Sequence, residues 1–162
     1  NVNQTNFDSI FAPEAKFFGT TGTKTCFKHA NLDHSRADES TQLLKANFTS
    51  ATISTAAWEG IQLLDSNLTA SIINDSNFSG CTFKHVTFEL VSAKNTNFSK
   101  TQFIECDLNR INLFKGSLRR AILNEVDLRY SNLFGVDFYK AKLTNTQLNG
   151  ANLKRTLLFM QL

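Results

Sequence analysis

From Leu43 to Leu158 every fifth residue is apolar. The series begins Leu43, Phe48, Ile53, Trp58, Leu63 and continues for 24 consecutive positions, with Ala93 its one small member. The chain is only 41% hydrophobic, so a run of that length is not accidental. A period of five fits neither common element. On an α-helix, residues five apart point about 140° away from each other and share no face. On a strand, an odd spacing alternates between the two faces. For all these residues to point inward, the chain must turn a corner every five residues. It then winds as a solenoid around a column of its own side chains.

A second inward column stands two residues before each large one. Its members include Ala46, Ala51, Ser66, Cys81, Val86, Thr96, Cys106, Gly116 and Ser131, all small or slim and none charged. The other three places in each unit are mostly polar. Asn or Asp recurs just before the large residue, as at Asn47, Asn67, Asn77, Asp107 and Asn132. Such side chains bond nearby backbone groups in turns, which suits a corner every five residues.

Units such as Ala46-Asn47-Phe48-Thr49-Ser50, Ser131-Asn132-Leu133-Phe134-Gly135 and Ala151-Asn152-Leu153-Lys154-Arg155 resemble the consensus of the pentapeptide-repeat family, A(N/D)LXX. The resemblance covers essentially the whole chain. It implies an all-β fold, a right-handed quadrilateral β-helix with four five-residue sides per coil. The four-sidedness comes from the resemblance, since a period of five does not count sides. With that geometry the chain makes about eight coils, and at the spacing of neighbouring strands a rod about 40 Å long.

Residues 1–37 carry the repeat in another phase, through Val2, Phe7, Ala12, Phe17, Gly22, Phe27, Leu32 and Ala37. Ala37 and Leu43 are six apart, which predicts a one-residue insertion near 36–40. Gly22 occupies a large-residue place, so the coil near 18–26 is expected to be irregular. The whole of 1–162 is expected to be a single β-helix domain. Beginning at Asn1 with the repeat already under way, it reads as a piece of a larger protein. With stacking every 20 residues and the one inserted residue between them, Ala37 lies beside Trp58 in one inner column, a compensation of volumes in a close-packed core.

The 162 residues include three cysteines, Cys26, Cys81 and Cys106, with no CxxC spacing. Cys81 and Cys106 fall at inward places and are expected to be buried thiols. His29, His34 and His85 have no metal-ligand spacing. No nucleophile elbow, zinc-protease or P-loop motif occurs. No enzyme is expected, and no catalytic residue, cofactor or metal site. No run of 18 apolar residues predicts a membrane span. The compartment is open, either bacterial cytoplasm or secretion through a dedicated system.

Charge divides along the chain. Residues 1–99 hold 7 basic and 9 acidic residues, and residues 100–162 hold 10 and 5. Lys100, Arg120 and Lys140 recur at the stacking interval, with Arg119 and Tyr139 alongside. Glu105, Asp107, Glu125 and Asp127 make an acidic counterpart, so the surface is striped and nucleic acid is disfavoured as a partner. Phe114 and Phe134 are outward and fall on adjacent coils. With Arg110, Arg119, Tyr130 and Tyr139, and with Arg129 at the edge, they form the candidate partner-contact site. Leu158, Phe159 and Met160 are the candidate end contact, covering the last coil by end-to-end pairing of two copies.

The function expected is a non-catalytic protein-interaction or scaffold rod within a larger bacterial protein. Its ending, Gly150 to Leu158, is similar to the close of repeat domains attached to type VI secretion accessory proteins. The alternative is a DNA-mimicking, gyrase-binding protein of the quinolone-resistance type. Members of that kind present continuous acidic rows, which this sequence does not.

Overall fold

The computed structural model describes residues 1–157. The chain climbs as a four-sided parallel β-helix, and no helix occurs among the described residues. The first side contains strands β1 (Thr21–Thr23), β3 (Gln42–Leu44), β5 (Gln62–Leu64), β6 (Thr82–Lys84), β7 (Gln102–Ile104), β8 (Ile122–Asn124) and β9 (Lys142–Thr144). They stack in parallel as one seven-stranded sheet, which spans about 6 turns. On the other sides, pairing is mostly by single bridges, with one short ladder between β2 (Arg36–Ala37) and β4 (Ala57–Trp58). Residues 1–20 form a further tier below β1, through Asn6↔Cys26, Phe11↔Asn31 and Lys16↔Arg36.

We number the sides one to four in chain order. Side one holds Leu43 and its stacking partners, side two Phe48, side three Ile53 and side four Trp58. Partners lie 20 residues apart from β3 onward, as in Leu43↔Leu63. Between the second tier and the third they lie 21 apart, as in Gly22↔Leu43 and Ala37↔Trp58. The additional residue sits in the corner of Asp38, Glu39 and Ser40, where Ser40 donates from its backbone N–H to Asp38 Oδ1.

The corners share one geometry. From Gln4 to Arg155 the second residue of each has φ between 49° and 72°, the Asp38–Ser40 corner excepted. Only five of these residues are glycine: Gly19, Gly60, Gly80, Gly135 and Gly150. The rest hold the left-handed conformation at a cost on the order of 1 kcal/mol each. The tier above and the tier below impose it through paired backbone groups. The Asn or Asp before each large residue helps to set the corner. Asn47 Oδ1 accepts from Thr49 N–H at 3.0 Å, and Asp107, Asp127, Asn132 and Asp137 do the same.

The interior is apolar and continuous. Phe48, Leu63, Phe78, Phe88, Phe98, Leu108 and Leu128 have no measurable exposure. Several polar members of the slim column are satisfied across tiers, although the buried Ser71 Oγ has no partner. Ser76, Thr96, Thr101 and Ser131 each donate to the carbonyl of the large residue 23 positions earlier, at 2.7–3.0 Å. That bond explains why hydroxyls alternate freely with Ala and Val inside. Trp58 passes over Ala37 to meet Phe17 two tiers away, with ring centroids 5.6 Å apart. Its indole N–H donates to Ser35 Oγ at 2.8 Å. Gly116 is required by packing: a Cβ there would lie 2.5 Å from Leu113 Cδ1.

Candidate functional site

The repeat leaves only the corners and the residue before each large one for surface chemistry. Residues at one corner position recur every 20 and therefore form vertical columns. The expected contact residues occupy three successive corners of the upper tiers. Arg110 and Tyr130 stand where side two meets side three. Phe114 and Phe134 stand where side three meets side four. Arg119 and Tyr139 stand where side four returns to side one.

The middle corner carries an aromatic stack. The rings of Phe114 and Phe134 stack with centroids 5.4 Å apart and planes 14° apart. Cations close both ends of the pair: Lys115 Nζ lies 5.3 Å from the Phe114 centroid, and the Arg155 guanidinium 5.6 Å from that of Phe134. Both rings are half-buried. At the next corner the Arg119 guanidinium sits 4.6 Å over Tyr139, and Lys140 Nζ lies 5.2 Å from the same ring. Arg119 Nη1 also donates to Asp137 Oδ2 at 2.6 Å, across side four.

Arg110 and Tyr130 are a full side away from the phenylalanine pair, with Asn112 and Asn132 between them. Tyr130 is 62% exposed and leans over Gly150, where a Cβ would meet its ring at 2.6 Å. Arg129 does not edge this surface. It folds back to side two, donating from Nε and Nη2 to Asp127. Those bonds hold the Asp127 carboxyl below the usual carboxylate range. Lys115, Lys154 and Arg155 were missed in the sequence. Their signal was the column spacing of 20, which places Lys94, Phe114, Phe134 and Lys154 in one line and Lys115 and Arg155 in the next.

The opposite side of the rod is acidic. Glu105, Asp107, Glu125 and Asp127 line an open groove of about 730 Å³. Below it His85 bridges two carboxylates, with Nδ1 2.9 Å from Asp65 and Nε2 3.2 Å from Glu105. No group of His, Cys, Asp and Glu suited to a metal ion occurs among the described residues. Cys81 and Cys106 are buried, and burial pushes their thiols up to about 12 and about 11. No described helix is long and apolar enough to cross a membrane. The end contact of Leu158, Phe159 and Met160 lies outside the described residues.

The model of the family described as pentapeptide repeats (8 copies) matches residues 46–84, 71–110 and 121–158. No curated protein sequence matches significantly. Among solved structures, the chain is similar to HetL, a pentapeptide repeat protein involved in heterocyst differentiation regulation, from the cyanobacterium Nostoc sp. strain PCC 7120. The two are 17% identical, covering 96% of this chain and 90% of HetL, with a TM-score of 0.59. Full-length QnrB1, a plasmid-mediated fluoroquinolone resistance protein, is 15% identical over 93% of this chain and 92% of its own, with a TM-score of 0.45. Rfr23 of the cyanobacterium Cyanothece 51142 is 17% identical over 90% and 89%, with a TM-score of 0.38. With its five-residue sides, its stacked corners and a family match over more than half its length, the chain belongs to the pentapeptide-repeat family.

Proposed function

We propose that the chain is a non-catalytic protein-binding rod, serving as one domain of a larger bacterial protein, and that it meets its partner along side four of the upper tiers. The observation that carries this reading is the stacked Phe114–Phe134 pair with Lys115 and Arg155 against its rings. Aromatic and Arg side chains dominate interface energetics, and here they are held in place before any partner arrives. The carboxylate-lined groove is open, and it offers binding area and not an enclosed reaction chamber. The test is the double variant Phe114→Ser with Phe134→Ser. It keeps the circular dichroism spectrum of the parent and loses capture of the partner from a lysate of the native host. A double variant that captures the same proteins in the same amounts excludes this surface.

The competing reading is a gyrase-directed DNA mimic. Its support is the acidic column on the far side; against it stands the basic side four, which duplex DNA does not resemble. Inhibition of gyrase supercoiling at stoichiometric protein decides for the mimic. End-to-end pairing through Leu158, Phe159 and Met160 is a separate part of the proposal. Concentration-dependent sedimentation that disappears with Phe159→Asp and Met160→Asp supports it, and a strict monomer at high concentration refutes it.

A further inference from the structure

We infer that side four of the upper tiers binds an acidic protein segment, whose carboxylates lie along the two columns of cations that flank it. This rests on the protein-binding reading and names the partner's chemistry. One flanking corner carries Lys94, Lys115, Lys154 and Arg155, all exposed. The other carries Lys100, Arg119, Arg120 and Lys140, also exposed. Between them, the one carboxylate on this stretch of side four is Asp137, and it is taken by Arg119. Lys94, Lys100, Arg120 and Lys154 make no ion pair among the described residues.

At the second corner Lys100, Arg120 and Lys140 therefore stack at the tier spacing of about 4.8 Å, like charge on like charge, whereas at the first corner Phe114 and Phe134 stand between Lys94 and Lys154. The contrast with the acidic side is informative. There the column Asp65, His85, Glu105 places a ring nitrogen against each carboxylate. The acidic column is compensated from within as far as Glu105, whereas Lys100, Arg120 and Lys140 stack with no carboxylate or imidazole interposed.

The aromatic rings choose between classes of anion. Single-stranded nucleic acid binds where ring faces are free for bases to stack on. Here the faces of Phe114 and Phe134 meet each other, and Lys115 and Arg155 lie against them. The Arg155 guanidinium lies 5.6 Å from the Phe134 centroid on an exposed side chain, and a guanidinium is the group that takes a carboxylate with two parallel hydrogen bonds. The acidic far side repels the same segment, so the rod is engaged on one side only.

The test uses the full chain and a short fluorescein-labelled peptide rich in Asp and Glu, with single-stranded and duplex DNA of matched charge alongside. Fluorescence anisotropy is read at low and at physiological salt. The expected result is saturable peptide binding, weaker at higher salt, and tighter than binding of either DNA. Lys115→Glu with Arg155→Glu weakens it about tenfold. Glu105→Lys with Glu125→Lys, on the far side, does not weaken it. Absent peptide binding, tighter DNA binding, or an unchanged affinity in the side-four variant overturns the inference. If the charge-reversed variant still captures a host protein that Phe114→Ser with Phe134→Ser loses, the protein-binding rod stands and the acidic segment falls.

Discussion

At the scale of single residues, the fold sorts side chains by position more than by chemistry. Cys81 and Cys106 sit in the slim column with Ala and Val and behave as small apolar groups that also donate inward. Cys81 Sγ lies 3.0 Å from the Trp58 carbonyl, and Cys106 Sγ 3.4 Å from that of Phe83. Burial keeps both thiols protonated, while Cys26 is half-buried. Native protein treated with iodoacetamide is therefore modified at Cys26, and Cys81 and Cys106 react only after unfolding; equal rates at all three would contradict their burial. The pH dependence follows with its sign. In the unfolded chain these thiols ionise near 9, in the folded chain well above it. Between those values the unfolded state binds fewer protons, so stability is present in full below about pH 9 and declines toward pH 12. Replacing both cysteines with Ala should flatten that alkaline decline in thermal melts.

At the scale of the element, the repeating unit is a corner, and the corner is a left-handed residue made tolerable by stacking. Ala70 is exposed at such a place, with φ 57°. Glycine in a regular helix or strand lowers stability, yet here it removes a steric conflict. Ala70→Gly should leave the melting temperature unchanged or raise it. Ala70→Val, β-branched in the same conformation, should destabilise by about 1–3 kcal/mol. A lower melting temperature for the glycine variant than for the valine variant would show that the corner is not held as described. The same element explains what could be read in advance. Inward places obey volume, so the period of five, the slim column and the Asn or Asp before each large residue were visible without a structure. The side count was not, because five residues per side is compatible with any number of sides; the family resemblance supplied it.

At the scale of the whole molecule, stacking converts sequence spacing into charged and aromatic columns. Spacing alone located Phe114, Phe134 and the column Lys100, Arg120, Lys140. It did not show that Arg129 turns away to Asp127, or that Arg155 lies against Phe134. Outward side chains at corners are free of the volume rule, so their direction is decided by neighbours one tier away. In the last tiers this produces a rod that is basic on side four and acidic on the side opposite. The chain's net charge of +3 hides that division. It is why a single averaged charge says little about the partner.

Whether a partner covers side four can be read from lysine footprinting of the complex. The host protein captured by the full chain is left bound, free amines are acetylated, and modification at each lysine is read by mass spectrometry with and without partner. Binding along side four protects Lys100, Lys115, Lys140 and Lys154, with Lys24, Lys45 and Lys84 modified equally in both states. Protection of Lys45 and Lys84 with side four left open would contradict it.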